Sequence, residues 1–184
     1  MTKREARARA KALRAALNMQ TTGRDMAKAL FALPCWQKAD TVLAFASLPD
    51  EPNTWPILQR ALADGKRLLL PRVSGAGRME WVEIPDLALL RQGAYGIPEP
   101  PGDLLAVCPP EGDRTLLLIP CLAVRSDGVR LGRGGGYYDR FLAHAKGKRL
   151  LLCPAALVLP DLPADGWDIR FSPDEILTEK GLLQ

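Results

Sequence analysis

Between a strand-forming run and a helix-forming run, the chain reads Arg130-Leu131-Gly132-Arg133-Gly134-Gly135-Gly136-Tyr137-Tyr138-Asp139-Arg140. Glycines let backbone N–H groups approach an anion closely, and arginines supply charged donors that suit phosphate. A plain glycine-rich surface turn is the alternative, but such turns more usually carry Ser, Asn or Asp than arginines beside paired tyrosines. The stretch therefore predicts a phosphate-binding loop, which we call the glycine loop (residues 130–140).

The glycine loop matches neither of two common nucleotide-binding motifs. A Walker A loop ends in Gly-Lys-Ser/Thr, whereas Tyr137 and Tyr138 follow the last glycine here. The dinucleotide fingerprint requires a third glycine where this chain has Tyr137. The local chemistry thus predicts a nucleotide or phosphate ligand that is bound in another way.

The elements around the glycine loop predict the fold. The apolar run Thr115–Pro120 precedes it as a strand and residues 137–145 follow as a helix, so the loop amides would lie at a helix N-terminus, where the dipole favours anions. Further helices are predicted at residues 3–17, 22–33 (capped by Thr21 or Thr22) and 55–64, and strands at 41–47, 67–71, 79–84, 149–153 and 175–178. This alternation predicts an α/β fold, a three-layer α/β/α sandwich around a mainly parallel sheet.

Length and composition favour one globular domain. The chain has 184 residues, of which 47% are hydrophobic and 25% charged, and neither a repeat nor a polar linker divides it, so we expect a single domain over residues 1–184. No apolar run approaches the length of a membrane span, and the first five residues lack the apolar segment of a secretory signal. We therefore expect no membrane partner and a cytoplasmic location.

The cysteines and the histidine do not indicate a metal cage. Cys35, Cys108, Cys121 and Cys153 form no Cys-x-x-Cys pair, and we expect them to be reduced packing residues. His144 is the single histidine, so a conventional metal cage or a Ser-His-Asp site is not indicated.

The basic character of the chain is compatible with anionic ligands. The net charge is +4, but much of the excess lies in the first fourteen residues, without an aromatic platform among the cations. We therefore expect no nucleic-acid partner, whereas small anionic substrates would be attracted by the same field.

The first predicted helix has two stripes. An apolar stripe comprises Ala6, Ala10, Leu13 and Leu17, and a basic stripe comprises Lys3, Arg7, Lys11 and Arg14. On composition alone, the basic stripe is a solvated charged face.

Two loops complete the pattern. Residues 48–54 carry two acids directly after a predicted buried strand, where α/β proteins place ligand contacts. Residues 93–102 contain three prolines and three glycines, so we expect an irregular loop there, shaped to cover a pocket.

With these motifs quoted, the chain resembles the 5-formyltetrahydrofolate cyclo-ligase family, also called methenyltetrahydrofolate synthetase. The similarity runs in order along nearly the whole chain. It comprises Lys3-x-x-Ala6-Arg7, Leu48-x-x-Glu51-x-Asn53-Thr54, Gly93-x-Tyr95-Gly96-Ile97-Pro98-Glu99-Pro100, the glycine loop from Arg130 to Asp139, residues 163–168, and Asp174-x-Ile176-x-Thr178.

The resemblance implies an ATP- and Mg²⁺-dependent closure of 5-formyltetrahydrofolate to 5,10-methenyltetrahydrofolate, with release of ADP and phosphate by a monomer. A formamide oxygen is a poor leaving group, so the implied mechanism transfers the γ-phosphoryl group onto it before N10 attacks. Phosphoryl transfer needs positioning and charge neutralisation more than a strong base, which fits a site rich in Arg and Gly.

Carried over by position, the resemblance assigns roles to individual residues. ATP would contact Lys3, Arg7, Arg130, Leu131, Gly132, Arg133, Gly134, Gly135, Gly136, Tyr137 and Tyr138. The folate would contact Arg7, Glu51, Tyr95, Arg133, Gly134, Gly135, Gly136 and Tyr137, with Glu51 on the pterin and Tyr95 beside it. Asp139 and Asp168 would approach Mg²⁺, and Arg133 and Tyr138 would be catalytic.

Some positions depart from the family pattern. Where the family usually has Pro-Gly-x-x-Phe-Asp, this chain has Pro120-Cys121-Leu122-Ala123-Val124-Arg125, and Leu157 lies near the usual glutamine. A folate- or nucleotide-binding paralogue without cyclo-ligase turnover is therefore the alternative.

Overall fold

The computed structural model describes residues 1–93 and 96–183, which form both helices and strands. The helices are α1 (Lys3–Ala15), α2 (Met19–Phe31), α3 (Pro34–Lys38), α4 (Trp55–Ala63) and α5 (Tyr137–Leu142). The strands are β1 (Thr41–Leu43), β2 (Arg67–Gly75), β3 (Arg78–Glu83), β4 (Arg91–Gln92), β5 (Pro98–Glu99), β6 (Ala106–Val107), β7 (Thr115–Pro120), β8 (Ala123–Arg125), β9 (Arg130–Leu131), β10 (Lys148–Leu152), β11 (Val158–Leu159), β12 (Ile176–Thr178) and β13 (Gly181–Leu182).

The main sheet has eight strands in the order β13-β12-β10-β7-β1-β2-β3-β6. Its centre is parallel, from β12 through β10, β7 and β1 to β2, whereas β13, β3 and β6 are antiparallel to their neighbours. Val42 in β1 pairs with Leu68 on one side and Leu116 on the other, and all three are buried. Such continuous burial is expected of parallel strands that are covered on both faces.

Both faces of the sheet are covered because successive strand residues point to opposite sides. Val42 and Leu68 pack with α2, α3 and α4, whereas the next residues, Leu43 and Leu69, pack with α1 and α5. A small sheet in the order β11-β8-β9 contributes to this second core. The predicted three-layer α/β/α sandwich around a mainly parallel sheet is confirmed.

The helix starts show how local sequence fixes the elements. α1 begins with a capping box, in which Thr2 and Glu5 each accept a hydrogen bond from the other's backbone N–H. α2 begins at Met19 and its cap is Asn18, whose side chain accepts from the N–H of Thr21 at 3.0 Å. The prediction of a threonine cap was wrong because Asn caps helices at least as well as Thr.

Several element boundaries differ from prediction. Strand β1 ends at Leu43, whereas the prediction extended it to residue 47. Strand β2 continues past the predicted end at residue 71 to Gly75 and forms a hairpin with β3. Residues 93–102 are not wholly irregular, because β5 pairs with β4. α5 ends at Leu142, and with six residues it offers little helix dipole. The anion binding predicted for the glycine loop would therefore rely on its cations and amide groups rather than on a helix dipole.

The stripes of α1 are also only partly as predicted. Leu13 is 38% exposed, although it was assigned to the apolar stripe, whereas Arg14 is 2% exposed, although it was assigned to the basic stripe. The buried face of α1 therefore runs through Ala6, Ala10 and Arg14.

Within residues 1–93 and 96–183, none of the helices combines the length and the apolar character that crossing a membrane requires.

Candidate functional site

A cavity of about 560 Å³ opens toward the carboxyl ends of β1, β2 and β7. Open α/β sheets bind their ligands at this edge. Its lining residues are Phe45, Ala46, Leu48, Glu51, Pro71, Val73, Met79, Ile97, Pro98, Glu99, Pro120, Cys121, Arg130, Gly132, Arg133, Gly134, Gly135, Gly136, Tyr137, Tyr138 and Asp139. The glycine loop thus forms one wall, and the segment after β1 contributes to another.

Arg133 joins these two walls. Its Nη2 lies 2.7 Å from Asp50 Oδ1 and 3.0 Å from Glu51 Oε1, and its Nε lies 3.1 Å from the same Glu51 oxygen. The other carboxylate oxygen of Glu51 accepts from the N–H of Leu48 at 2.9 Å. Glu51 is therefore oriented at both oxygens, and its residue is only 8% exposed.

Arg130 anchors the start of the glycine loop. Its Nε donates to the carbonyl of Pro120 at 2.9 Å, and its Nη1 donates to Asp139 Oδ1 at 2.8 Å. Its guanidinium carbon also lies 5.5 Å from the centre of the Tyr138 ring. Arg130 thereby ties the end of β7 to the first turn of α5.

The glycines give the loop a backbone that other residues rarely adopt. Gly134 has φ +101° and Gly136 has φ +70°, both in the region that favours glycine. The carbonyl of Gly135 between them accepts from Arg140 Nη1 at 3.0 Å. The sequence indicated Arg140 only as one of the cations of the loop, whereas in the structure its hydrogen bond to Gly135 also holds the loop backbone.

The Tyr138 hydroxyl is buried in the cavity wall that the glycine loop forms. Its oxygen is buried and has no hydrogen-bond partner within the described residues. Burial raises the pKa of Tyr138 well above its usual value, so the hydroxyl stays protonated as a donor. Leaving such a group unpaired costs roughly 1–3 kcal/mol, which a ligand acceptor would recover.

Three predicted ATP contacts lie outside the cavity lining. Leu131 is 3% exposed, in the core. Arg7 on α1 supports the glycine loop, since its Nε donates to the carbonyl of Gly132 at 3.0 Å. Lys3 lies near the loop of residues 162–168, with its Nζ 2.6 Å from Asp168 Oδ1 and 2.8 Å from Asp165 Oδ2.

The two predicted magnesium ligands are each paired with a cation, Asp139 with Arg130 and Asp168 with Lys3. Burial opposes ionisation of Asp168, but the hydrogen bonds from Lys3 and from the N–H of Asp165, together with the charges of Lys3 and Arg125, outweigh burial and hold the pKa of Asp168 below its usual range. In the part of the chain that the structure describes, no three His, Cys, Asp or Glu side chains are grouped to hold a metal ion. A divalent cation would need further oxygen ligands from a bound substrate.

Arg14 is a component of the site region that the sequence reasoning missed. Its Nε donates to the carbonyl of Asp50 at 2.6 Å, and its Nη1 donates to the carbonyls of Cys121 and Leu122 at 3.0 Å each. The signal was present, because Arg14 follows Ala10 by four residues and shares its helix face.

Five other residues were singled out in the sequence, and the structure describes four of them. Tyr95 lies outside the described residues, so its assignment to the pterin stays a prediction. Of the three departures from the family pattern, Cys121 lines the cavity, whereas Arg125 pairs with Asp127 and Leu157 is buried in the second core. His144 lies beside a separate, smaller cavity.

The chain is similar in sequence and in structure to proteins of one family. A family model described as the 5-formyltetrahydrofolate cyclo-ligase family matches residues 1–179. A 5-formyltetrahydrofolate cyclo-ligase of Mycolicibacterium smegmatis is 34% identical over 149 residues, which cover 76% of this chain and 74% of the relative. The enzyme of the same name from Escherichia coli K12 is 30% identical over 155 residues, 82% of this chain and 85% of the relative. The solution structure of Aquifex aeolicus 5,10-methenyltetrahydrofolate synthetase superposes with a TM-score of 0.84 at 30% identity, covering 100% of this chain and 93% of that one.

Proposed function

Because this chain belongs to the 5-formyltetrahydrofolate cyclo-ligase family, we propose that it converts 5-formyltetrahydrofolate to 5,10-methenyltetrahydrofolate with ATP and Mg²⁺, releasing ADP and phosphate. The observation that carries this proposal is the cavity wall that brings together Arg130, Arg133 and the Tyr138 hydroxyl, which has no hydrogen-bond partner in the described part of the chain. All three are hydrogen-bond donors suited to phosphate or formyl oxygens.

We propose that Glu51 recognises the pterin. A carboxylate accepts hydrogen bonds from adjacent ring N–H groups, and Glu51 already has its orientation set by Leu48 and Arg133. The apolar residues of the cavity, such as Phe45, Val73 and Met79, offer a surface for the flat faces of the ring.

We propose that the triphosphate lies along the glycine loop. Arg130 and Arg133 supply fixed guanidinium groups there, and the positive φ of Gly134 and Gly136 lets the loop backbone come close to phosphate oxygens. Lys3 and Arg7 add positive charge from α1, with Arg7 already bound to the loop carbonyl of Gly132.

In the proposed reaction, the formyl oxygen attacks the γ-phosphorus of ATP and the bond to ADP breaks. N10 then attacks the activated formyl carbon and loses its proton, and the oxygen departs with the phosphoryl group as phosphate, which takes up that proton. Arg130 and Arg133 would neutralise charge on the transferring group, and the Tyr138 hydroxyl would donate to one of its oxygens. This work requires positioned donors rather than a catalytic histidine.

The residues present also fit the proposed metal. When bound, Mg²⁺ would neutralise charge on the phosphate oxygens, which is its usual contribution in such sites. Asp139 lines the cavity at the end of the glycine loop, and Asp168, which pairs with Lys3 outside the cavity lining, is the second carboxylate proposed to hold the ion. The small number of protein carboxylates suits Mg²⁺, which commonly takes phosphate and water oxygens as its other ligands.

The direct test is turnover by the purified chain. With 5-formyltetrahydrofolate, ATP and Mg²⁺, we expect a product that absorbs in the near ultraviolet, and omitting ATP or chelating Mg²⁺ should stop its formation. No absorbance change over hours at high enzyme concentration would contradict cyclo-ligase activity. Folate or ATP binding without turnover would favour the non-catalytic paralogue.

A second prediction concerns the Tyr138 hydroxyl. Tyr138→Phe should lower kcat about ten- to a hundredfold, since it removes one donor to the transferring group. Because the hydroxyl has no hydrogen-bond partner among the residues that the structure describes, the melting temperature should stay the same or rise slightly. Turnover assays and thermal unfolding of the same preparation check this, and unchanged kcat would remove the hydroxyl from the mechanism.

A further inference from the structure

Two cysteines that are far apart in sequence are neighbours in the fold, and one of them, Cys121, lines the cavity. In the parallel ladder of β7 and β10, Pro120 pairs with Leu152, so the following residues, Cys121 and Cys153, are the next pair in register. Neighbouring strands lie roughly 4.8 Å apart, and this spacing falls within the Cα separation of disulfides. Both side chains enter the same core, and both cysteines are free thiols.

The two thiols differ in access. Cys121 lines the cavity, and its Sγ donates to the carbonyl of Leu152 at 3.5 Å. Cys153 is 0% exposed and lies behind it, with its Sγ donating to the carbonyl of Pro154 at 3.6 Å. A small reagent that enters the cavity therefore meets Cys121 first.

The surroundings of Cys121 are cationic. Arg14 is buried, makes no ion pair among the described residues, and leaves its Nη2 without any hydrogen-bond partner there. It binds the carbonyl of Cys121, and Arg130 binds the carbonyl of Pro120 on the other side. A buried guanidinium without a carboxylate favours an anion beside it.

The two thiols also differ in pKa, and the more accessible thiol has the lower value. Burial opposes thiolate formation at Cys121, but the Cys153 thiol, Arg130 and Arg14 outweigh burial and hold the pKa of Cys121 below its usual value. Burial raises the pKa of Cys153 well above its usual value. The accessible thiol is thus the one that ionises more readily, and the thiolate is the form that reacts.

We propose that Cys121 is an oxidation site for small hydroperoxides in the floor of the cavity and that Cys153 is its resolving partner, the two forming an intramolecular disulfide. Neither the family similarity nor the predicted ligand set assigns a role to this thiol pair.

The proposed chemistry proceeds in two steps. The Cys121 thiolate attacks one oxygen of the hydroperoxide, the O–O bond breaks, and the leaving oxygen takes a proton to depart as water or an alcohol. The sulfenic acid on Cys121 is then attacked by the Cys153 sulfur. Its S–O bond breaks, hydroxide leaves with the Cys153 proton as water, and the S–S bond forms. The two thiols lose two electrons in total, and the hydroperoxide gains them.

The disulfide would act on the site through the turn after β7. Drawing Cys121 toward β10 displaces the carbonyls that Arg14 and Arg130 bind. Arg14 also holds the carbonyl of Asp50, next to Glu51. Oxidation should therefore lower folate turnover about tenfold or more, an effect that rests on the proposed function, and a reductant should restore it.

The test treats the whole chain with hydrogen peroxide and measures intact mass, which does not depend on activity. We expect the loss of two hydrogen atoms per chain, reversed by a reductant, and a peptide map that links Cys121 to Cys153. In Cys153→Ser, Cys121 should instead stop at the sulfenic acid and be trapped by dimedone. If that variant fails to fold, peptide mapping of the wild-type chain decides alone.

Cys108→Ser is the matched control, because Cys108 is exposed and outside the pair, and it should oxidise as the wild type does. An unchanged mass at Cys121, or a disulfide that involves Cys35, Cys108 or a second chain in place of Cys153, would overturn the proposal. If the disulfide forms in a chain that shows no folate turnover, the oxidation site is supported and the proposed function is contradicted.

Discussion

Replacing Arg133 by alanine is expected to lower kcat/KM for the folate substrate about a thousandfold, or roughly 4 kcal/mol of transition-state stabilisation. Two losses combine in this variant. The cavity wall loses a guanidinium that would neutralise the transferring phosphoryl group. Glu51 also loses its bonds from Nη2 and Nε at 3.0 and 3.1 Å, which orient it for the pterin. Steady-state kinetics at saturating ATP measure the effect.

The fold should survive this change. The Arg133 side chain is 43% exposed, so its ion pairs with Asp50 and Glu51 contribute little to the free energy of unfolding. Glu51 also keeps the hydrogen bond from the N–H of Leu48. We expect the melting temperature to change by no more than a few degrees, on the order of 1 kcal/mol.

Two further variants separate charge from geometry. Arg133→Lys keeps the charge but loses the planar fork that can bind two oxygens at once, so it should recover only part of the rate. Arg24→Ala, on α2, removes an exposed arginine paired with Asp25 and should leave kinetics unchanged. Wild-type kinetics in Arg133→Ala would exclude this side chain from the mechanism.

Replacing Gly128 by alanine is expected to destabilise the fold by about 3 kcal/mol. Gly128 lies in the turn between β8 and β9 and has φ +90°, where a residue with a Cβ is strained. A Cβ there would also overlap the carbonyl oxygen of Phe171, whose N–H donates to the carbonyl of Gly128 at 3.0 Å. For a domain of this size the melting temperature should fall by about 6–12 °C in calorimetry.

Gly65→Ala is the matched control for strain. Gly65 has φ +69°, but a Cβ there meets no atom within 4 Å. It should cost only about 1 kcal/mol, the penalty of the left-handed conformation. Equal destabilisation in the two variants would show that the contact with Phe171 adds nothing.

Much of the fold was predictable because its signals are local. The apolar runs that became β7 and β10, the helix formers of α1, and the glycines of the loop each act over a few residues of chain. The capping box of Thr2 and Glu5 is of the same kind. Where local signals were ambiguous, as between Asn18 and the threonines after it, the prediction missed the boundary.

The candidate site was only partly predictable. The residues of the glycine loop predicted phosphate binding, and the family resemblance assigned Glu51 to the pterin. No local pattern showed that Arg133 contacts Glu51, since the two are 82 residues apart. Their contact depends on β1 and β7 being neighbours in the sheet, which places both loops at one edge.

The sequence by itself determined the longer helices, the central strands of the main sheet, the glycine loop and the family. The tertiary structure alone decided that Arg14 is buried among backbone carbonyls and that Cys121 meets Cys153. Periodicity reports the faces of one element, whereas these contacts arise from the order and register of neighbouring strands. Only the folded chain places one arginine of the basic stripe, Arg14, beside two of the four cysteines, Cys121 and Cys153.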